Sequence, residues 1–273
     1  MSYILNGAYY KPSTCLIPDN SGALGPTCMC WNTEETYLYM FTSVISPTLP
    51  LIYKYNRNGV HTQITIYSNN DKLLFNNPFL LTTASCVPLN NKIYTINRQN
   101  IAGTNNLYLF EIVTKNDNST SNTINSYLLP NLIYNSIPCL SNQMCYNPSN
   151  GLLYVFYYQD SSSNTYTYII SIDPTRLPTP SVGATVTYNN VSFPSYFNSL
   201  RGNNLSFSQC CFDSINNLYM SGTSGDYGSG IFVTTIDNNG NLIQPTYITN
   251  PFYQDSTYNV GASLTPSRSN MPT

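Results

Sequence analysis

The chain has 273 residues, and only 8% of them are charged, 12 Asp+Glu and 10 Lys+Arg, against about 25% in ordinary soluble domains. Uncharged polar groups, among them 38 Asn and 25 Tyr, hydrate the surface instead. A net charge of −2 with no basic cluster removes the counterion release on which nucleic-acid affinity rests, so no nucleic-acid partner is expected.

Nor is membrane insertion expected: the longest apolar run, 152–158, falls far short of the ~20 residues of a spanning helix. The N-terminus lacks the basic and apolar regions of a classical signal peptide, which predicts cytoplasmic synthesis and reduced cysteines.

Along the chain, residues 1–25 open with the strand formers Tyr3-Ile-Leu5 and Tyr9-Tyr10. A first unit, about 26–75, starts at Cys30-Trp-Asn, passes through Leu38-Tyr39 and the apolar stretch 51–55, and reaches the hairpin signal Asn58-Gly59. The second, about 82–130, begins Cys86-Val-Pro-Leu-Asn and contains Ile93-Tyr94 and 107–113, ending in Lys115-Asn-Asp-Asn-Ser. The third, about 141–195, has Cys145-Tyr-Asn, Leu153-Tyr154 and 166–172 before Asp173-Pro174. The long insertion 176–206 reads as an elaborated loop, and Ser161-Ser-Ser-Asn164 as an exposed strand connection. The fourth, about 207–250, has Cys211-Phe-Asp, Leu218-Tyr219, 231–236 and Asn239-Gly240, with 221–230 read as an exposed connection.

The four cysteines lie 56, 59 and 66 residues apart, and in each unit the tyrosine follows eight or nine residues later. Each unit reads as a meander of three clear strands plus a fourth, rich in β-branched and aromatic residues and punctuated by Asn, Gly, Pro and Ser. No helix is expected. The stretch 107–113 is apolar on both strand faces, so its sheet should be covered on both sides. That is the situation of a β-propeller blade between its two neighbours.

The run Phe212-Asp-Ser-Ile-Asn-Asn-Leu-Tyr219, followed by Thr235-Ile-Asp-Asn-Asn-Gly240, resembles the blades of NHL-type propeller repeats over residues 26–250. The resemblance implies an all-β propeller fold and no particular activity. Five blades, with a composite blade in which 1–25 and 251–273 close the ring, are preferred to four blades with decorated ends. Residues 1–12 and 255–266 would then be adjacent strands.

Cys30, Cys86, Cys145 and Cys211, with Tyr39, Tyr94, Tyr154 and Tyr219, are read as structural repeat positions. Equivalent residues on neighbouring sheets lie about 10 Å apart, too far for zinc–sulfur bonds of about 2.3 Å or for a disulfide. No metal and no cofactor are therefore expected, and the thiols should pack as small apolar groups. Cys210-Cys211 would put two thiols on opposite faces of one strand. Asp237-Asn-Asn-Gly-Asn241 reads as a turn rather than a calcium loop, and the single histidine, His61, excludes most catalytic triads.

Glycoside cleavage needs two carboxylates about 5–9.5 Å apart, and the candidates for it are Asp213, Asp19 and Glu35, with Glu34 beside the last. Asp213, however, aligns with Asn32 and Asn147 in sister units, where an Asx side chain caps a turn. The leading expectation is a non-enzymatic structural or interaction module of a larger assembly such as a virus particle, with other proteins or further copies of itself as partners. The alternative is a carbohydrate-binding or glycoside-cleaving propeller.

Overall fold

A computed structural model describes residues 23–44, 52–57, 61–63, 65–68, 85–101, 104–115, 121–130, 143–160, 165–181, 183–192, 206–213, 215–224, 228–237, 240–243 and 252–253. The described chain is all-β apart from one short 3-10 turn, Pro174–Arg176. The expected pairing of 1–12 with 255–266, and Asp19, lie outside the described residues.

Four meander sheets follow one another. Sheet 1 has β1 (Ala23–Trp31), β2 (Tyr37–Val44), β3 (Ile52–Asn56) and β4 (His61–Gln63) in that order. β5 (Thr65–Ser68) leaves the first unit and runs parallel to the outer strand of sheet 2, Thr65 opposite Ser121. Sheet 2 is thus β6 (Cys86–Leu89), β7 (Lys92–Ile101), β8 (Thr104–Val113), β9 (Ser121–Leu129) and then β5. Sheet 3 holds β10 (Gln143–Asn147), β11 (Leu152–Asp160), β12 (Thr165–Ile172) and β13 (Asn189–Asn190). Sheet 4 holds β14 (Ser206–Phe212), β15 (Asn217–Ser224), β16 (Gly228–Ile236) and β17 (Leu242–Ile243), with β18 (Phe252–Tyr253) also on β16. Most of 221–230, read as a connection, extends this last hairpin, Ser221 pairing with Ile231 and Ser224 with Gly228.

The aliphatic-Tyr pairs explain how the sheets stack. Successive strand residues point to opposite faces, so each pair sends its aliphatic member one way and its tyrosine the other. Leu153, Val155 and Tyr157 of β11 join Tyr94, Leu109 and Tyr127 of sheet 2 in one core. Tyr154 and Phe156, the alternate residues, join Phe212, Leu218 and Met220 of sheet 4 in another. The aliphatic residue therefore faces the preceding sheet and the tyrosine the following one. Sheet 2 also buries its other face, at Ile93, Phe110, Ile112 and Ile124. Sheet 1 is covered on both sides too, with Tyr39 and Phe41 buried on one face and Met40 and Tyr55 on the other. The first strands of the four meanders neighbour one another in order, β1 by β6, β6 by β10 and β10 by β14.

The register corrects one repeat position. Cys30, Cys145 and Cys211 stand opposite Tyr39, Tyr154 and Tyr219, but Val87 stands opposite Tyr94, and Cys86 faces Thr95. The cause is the turn. Asn90-Asn91 makes a two-residue connection with φ of 48° and 58° at its two residues, the geometry of a type I′ hairpin. The other three hairpins use longer turns, so this one shifts the pairing by one residue and turns over the side chains of β6 alone, Val87 taking the face that the cysteine has elsewhere.

The described part of the insertion after β12, as far as Ser192, is a strap rather than a free loop. Leu128 and residues 184–186 exchange backbone bonds, Leu128 N donating to Ala184 O at 2.8 Å and Val186 N to Leu128 O at 2.9 Å, which covers the half of β9 that β5 leaves open. Asn189–Asn190 then pairs with β12. Ser192 reaches sheet 4, its carbonyl accepting from Leu242 N at 3.3 Å and its hydroxyl bonding Asn241 Oδ1 at 3.0 Å. Val186 and Val191 anchor the strap in the two cores. Short, covered outer strands of this kind remove open edges that a nearly uncharged surface would leave prone to association.

Candidate functional site

The side chains with chemistry gather where the first hairpin of each sheet turns. In sheet 4, Asp213 Oδ1 accepts from Ile215 N at 3.0 Å and Asn217 N at 2.8 Å. Its Oδ2 accepts from Asn217 Nδ2 at 2.7 Å and the Tyr219 hydroxyl at 3.2 Å. In sheet 1, Asn32 Oδ1 takes Thr36 N at 2.8 Å and Tyr37 N at 2.9 Å. In sheet 3, Asn147 Oδ1 takes Ser149 N at 2.9 Å. One Asx side chain thus closes three turns by collecting amide donors that the strand ladder leaves over. The same chemistry closes the β16–β17 turn, where Asp237 Oδ1 accepts from Asn241 N at 2.8 Å and Gly240 takes φ 82°.

Neighbouring turns are bonded to each other. Asn91 N donates to Thr33 Oγ1 at 2.9 Å, joining sheets 1 and 2, and Asn147 Nδ2 donates to Asn216 Oδ1, joining sheets 3 and 4. Glu35 sits in the sheet 1 turn with φ 55°, and its carbonyl accepts from Arg57 Nε at 2.8 Å. Lys54, 2% exposed, crosses from sheet 1 to donate to the Lys115 carbonyl, its ammonium 4.0 Å from the centroid of the Tyr37 ring.

A second polar group lies in the seam between sheets 2 and 3, and nothing in the sequence singled it out. Glu111 is 4% exposed, and its register brings Tyr94 to one side and Asn125 to the other. Tyr94 Oη donates to Oε2 at 3.1 Å, Lys92 Nζ to Oε2 at 2.9 Å, and Asn125 Nδ2 to Oε1 at 2.9 Å. Burial first, then the charge of Glu111, holds the Tyr94 phenol far above its ordinary value. The same two causes, again with burial the larger, push Tyr127 up to about 12. The signal that could have found it is a Glu within the otherwise apolar stretch 107–113, where a buried carboxylate requires donors on adjacent strands.

The third group is the thiols between sheets 3 and 4. Cys145 faces forward into this seam, and Cys210 packs against the same core. The two thiols lie within hydrogen-bonding reach, closer than the sheet spacing led us to expect for repeat cysteines. The reason is the Cys210-Cys211 doublet: Cys211, opposite Tyr219, points onward, so Cys210 points back at Cys145. Burial, above all, raises Cys145 well above an ordinary thiol and Cys211 up to about 11. Among the described residues, no group of three or more His, Cys, Asp or Glu is disposed to hold a metal ion. No helix among them is long and apolar enough to cross a membrane.

No family model matches the chain, and no curated protein matches it. Among solved structures, a chain described as "Glycoside hydrolase" is similar at 8% identity with a TM-score of 0.35, over 83% of this chain and 48% of its own length. This chain therefore spans about half of that structure. A likeness at this level assigns neither a fold nor an activity to the chain.

Proposed function

We propose that the chain is a β-propeller whose four described sheets are successive blades, closed into five by its ends, and that it serves as a structural and interaction module of a larger assembly. The propeller reading is supported by the consistent polarity of the sheets, aliphatic face backward and tyrosine face forward, with the first strands of neighbouring sheets side by side.

The observation that carries the functional reading is the use of charge. In a chain with so few charged groups, three of those described are committed to the fold. Asp213 closes a turn, Glu111 is enclosed by three donors, and Lys54 is buried under a tyrosine. What the described surface offers partners is largely uncharged amide and hydroxyl groups, with exposed Met29, Ile215 and Ile243 among them. Partners on this reading are other proteins of the assembly or further copies of the chain.

The test is mass measurement of the native protein, at micromolar concentration and after cross-linking in its source extract. Stoichiometric association, in the source particle or with itself, is the expected result. A monomer that captures no partner, or one that binds or cleaves glycans and loses this on Asp213→Asn, would overturn it.

A further inference from the structure

In the seam between sheets 3 and 4, two thiols from different sheets meet. Cys145, on β10, is buried with Tyr154, Phe156, Leu218 and Met220, and Cys210, half-buried on the neighbouring β14, packs against that core. β10 and β14 lie side by side, so the approach comes from two backbones that are already adjacent and not from long side chains reaching across. Alternation along β14 assigns the roles: Cys210 looks back into the seam, while Cys211, opposite Tyr219, looks away from it. Both thiols are free in the structure.

We propose that Cys145 and Cys210 are a dithiol modification site, which a small-molecule disulfide oxidises to a bridge stapling sheet 3 to sheet 4. The Cys210 thiolate attacks one sulfur of the small disulfide, giving a mixed disulfide and releasing one small thiolate. The Cys145 thiolate then attacks the Cys210 sulfur of the mixed disulfide and expels the second. One protein S–S bond forms and one small-molecule S–S bond breaks. The two protons of the protein thiols go to the two released thiols, and the two electrons reduce the small disulfide. Cys210 acts first because it is the more accessible of the pair.

Burial keeps Cys145 protonated, and only the thiolate attacks. The closed seam therefore protects the dithiol near neutral pH. The bridge forms as pH rises or as the seam opens, and afterwards it persists, because it cross-links residues far apart in sequence.

The test treats the full chain with oxidised glutathione at mildly alkaline pH and maps peptides without reduction. The expected product links the Cys145 peptide to the Cys210 peptide with the loss of two hydrogens. Its melting temperature rises by roughly 5–15 °C over the reduced protein and falls back on adding a reductant. Cys211→Ser keeps the bridge, whereas Cys210→Ser removes it. If Cys210→Ser does not fold, Cys210→Ala replaces it, and the map of the wild-type chain decides alone if neither folds. A Cys210–Cys211 linkage, a glutathione adduct that never resolves onto Cys145, or a Cys145 still reduced once Cys210 is fully modified would each overturn the proposal.

Discussion

Replacing Glu111 with Ala tests whether the seam between sheets 2 and 3 is held by its carboxylate. The substitution removes the acceptor of three donors: the Tyr94 hydroxyl at 3.1 Å, Asn125 Nδ2 at 2.9 Å and Lys92 Nζ at 2.9 Å. The Lys92 side chain is 37% exposed and regains water when released, so its ion pair is worth under about 1 kcal/mol. Tyr94 and Asn125 are buried, and each unmet donor costs about 1–2 kcal/mol. Lost methylene packing adds roughly 1 kcal/mol, and relief of the carboxylate's own desolvation offsets part of the sum. The net loss is about 3 kcal/mol, a fall of roughly 6–12 °C in Tm. Glu111→Gln keeps the shape and one acceptor and should cost about half as much. Thermal melts of the three proteins followed by circular dichroism measure this, and the Tyr94 phenol of the Gln variant should ionise at lower pH once the neighbouring charge is gone. An Ala variant melting within about 2 °C of wild type would refute the reasoning, because the donors would then have found other partners.

Asp213→Asn should cost less than about 1 kcal/mol in a melt, since Asn32 and Asn147 close sister turns with an amide, whereas Asp213→Ala should cost about 2 kcal/mol; equal losses would contradict the capping role. Tyr127 and Cys211 hold their protons more tightly folded than unfolded, at about 12 and about 11 against ordinary values of 10.0 and 9.0, with burial the main cause. Their contribution is therefore complete below about pH 9 and is lost as pH rises through about 9 to 12; urea unfolding at stepped pH should show this decline, and a stability unchanged across that window would be the contrary result. Val186→Ala, which empties the strap's anchor between sheets 2 and 3, should cost about 2 kcal/mol, while Thr185→Ala beside it, exposed, stays within about 0.5 kcal/mol; matching denaturant midpoints for the two variants would show that the strap does not bear on the fold.

Much of the sheet structure was legible because strand periodicity and turn chemistry agreed. The stretches 107–113, 166–172 and 231–236 fall in β8, β12 and β16, and the Leu-Tyr pairs encode stacking direction, since adjacent strand residues must face opposite ways. What the sequence hides is where an outer strand pairs. Thr65–Ser68 belongs by chain order to the first unit but lies parallel to β9 of the second. A four-residue strand has too little pattern to choose between two edges, and the choice depends on which edge tertiary packing leaves open. The strap is hidden for the same reason. Its prolines and exposed residues read as loop, and only the buried Val186 and Val191 reveal that it spans three sheets.

The groups at the seams follow a similar division between what is local and what is not. Turn caps were foreseeable, because an Asx side chain collects amides within four or five residues of itself, and Asn32, Asn147 and Asp213 stand six or seven residues before their tyrosines. Cys145 and Cys210 meet 65 residues apart, yet the rule that unites them is also local. Cys30, Cys145 and Cys211 stand opposite their tyrosines and so face forward, whereas Cys86 does not. A doublet breaks that rule by presenting one thiol to each face, and the backward one is bound to meet whatever the preceding sheet sends forward. In this chain sheet 3 sends forward a cysteine. Glu111 is the converse case: its strand neighbours are apolar, and its partners come from β7 and β9, so only the register of three strands together reveals that a charge in that seam has donors.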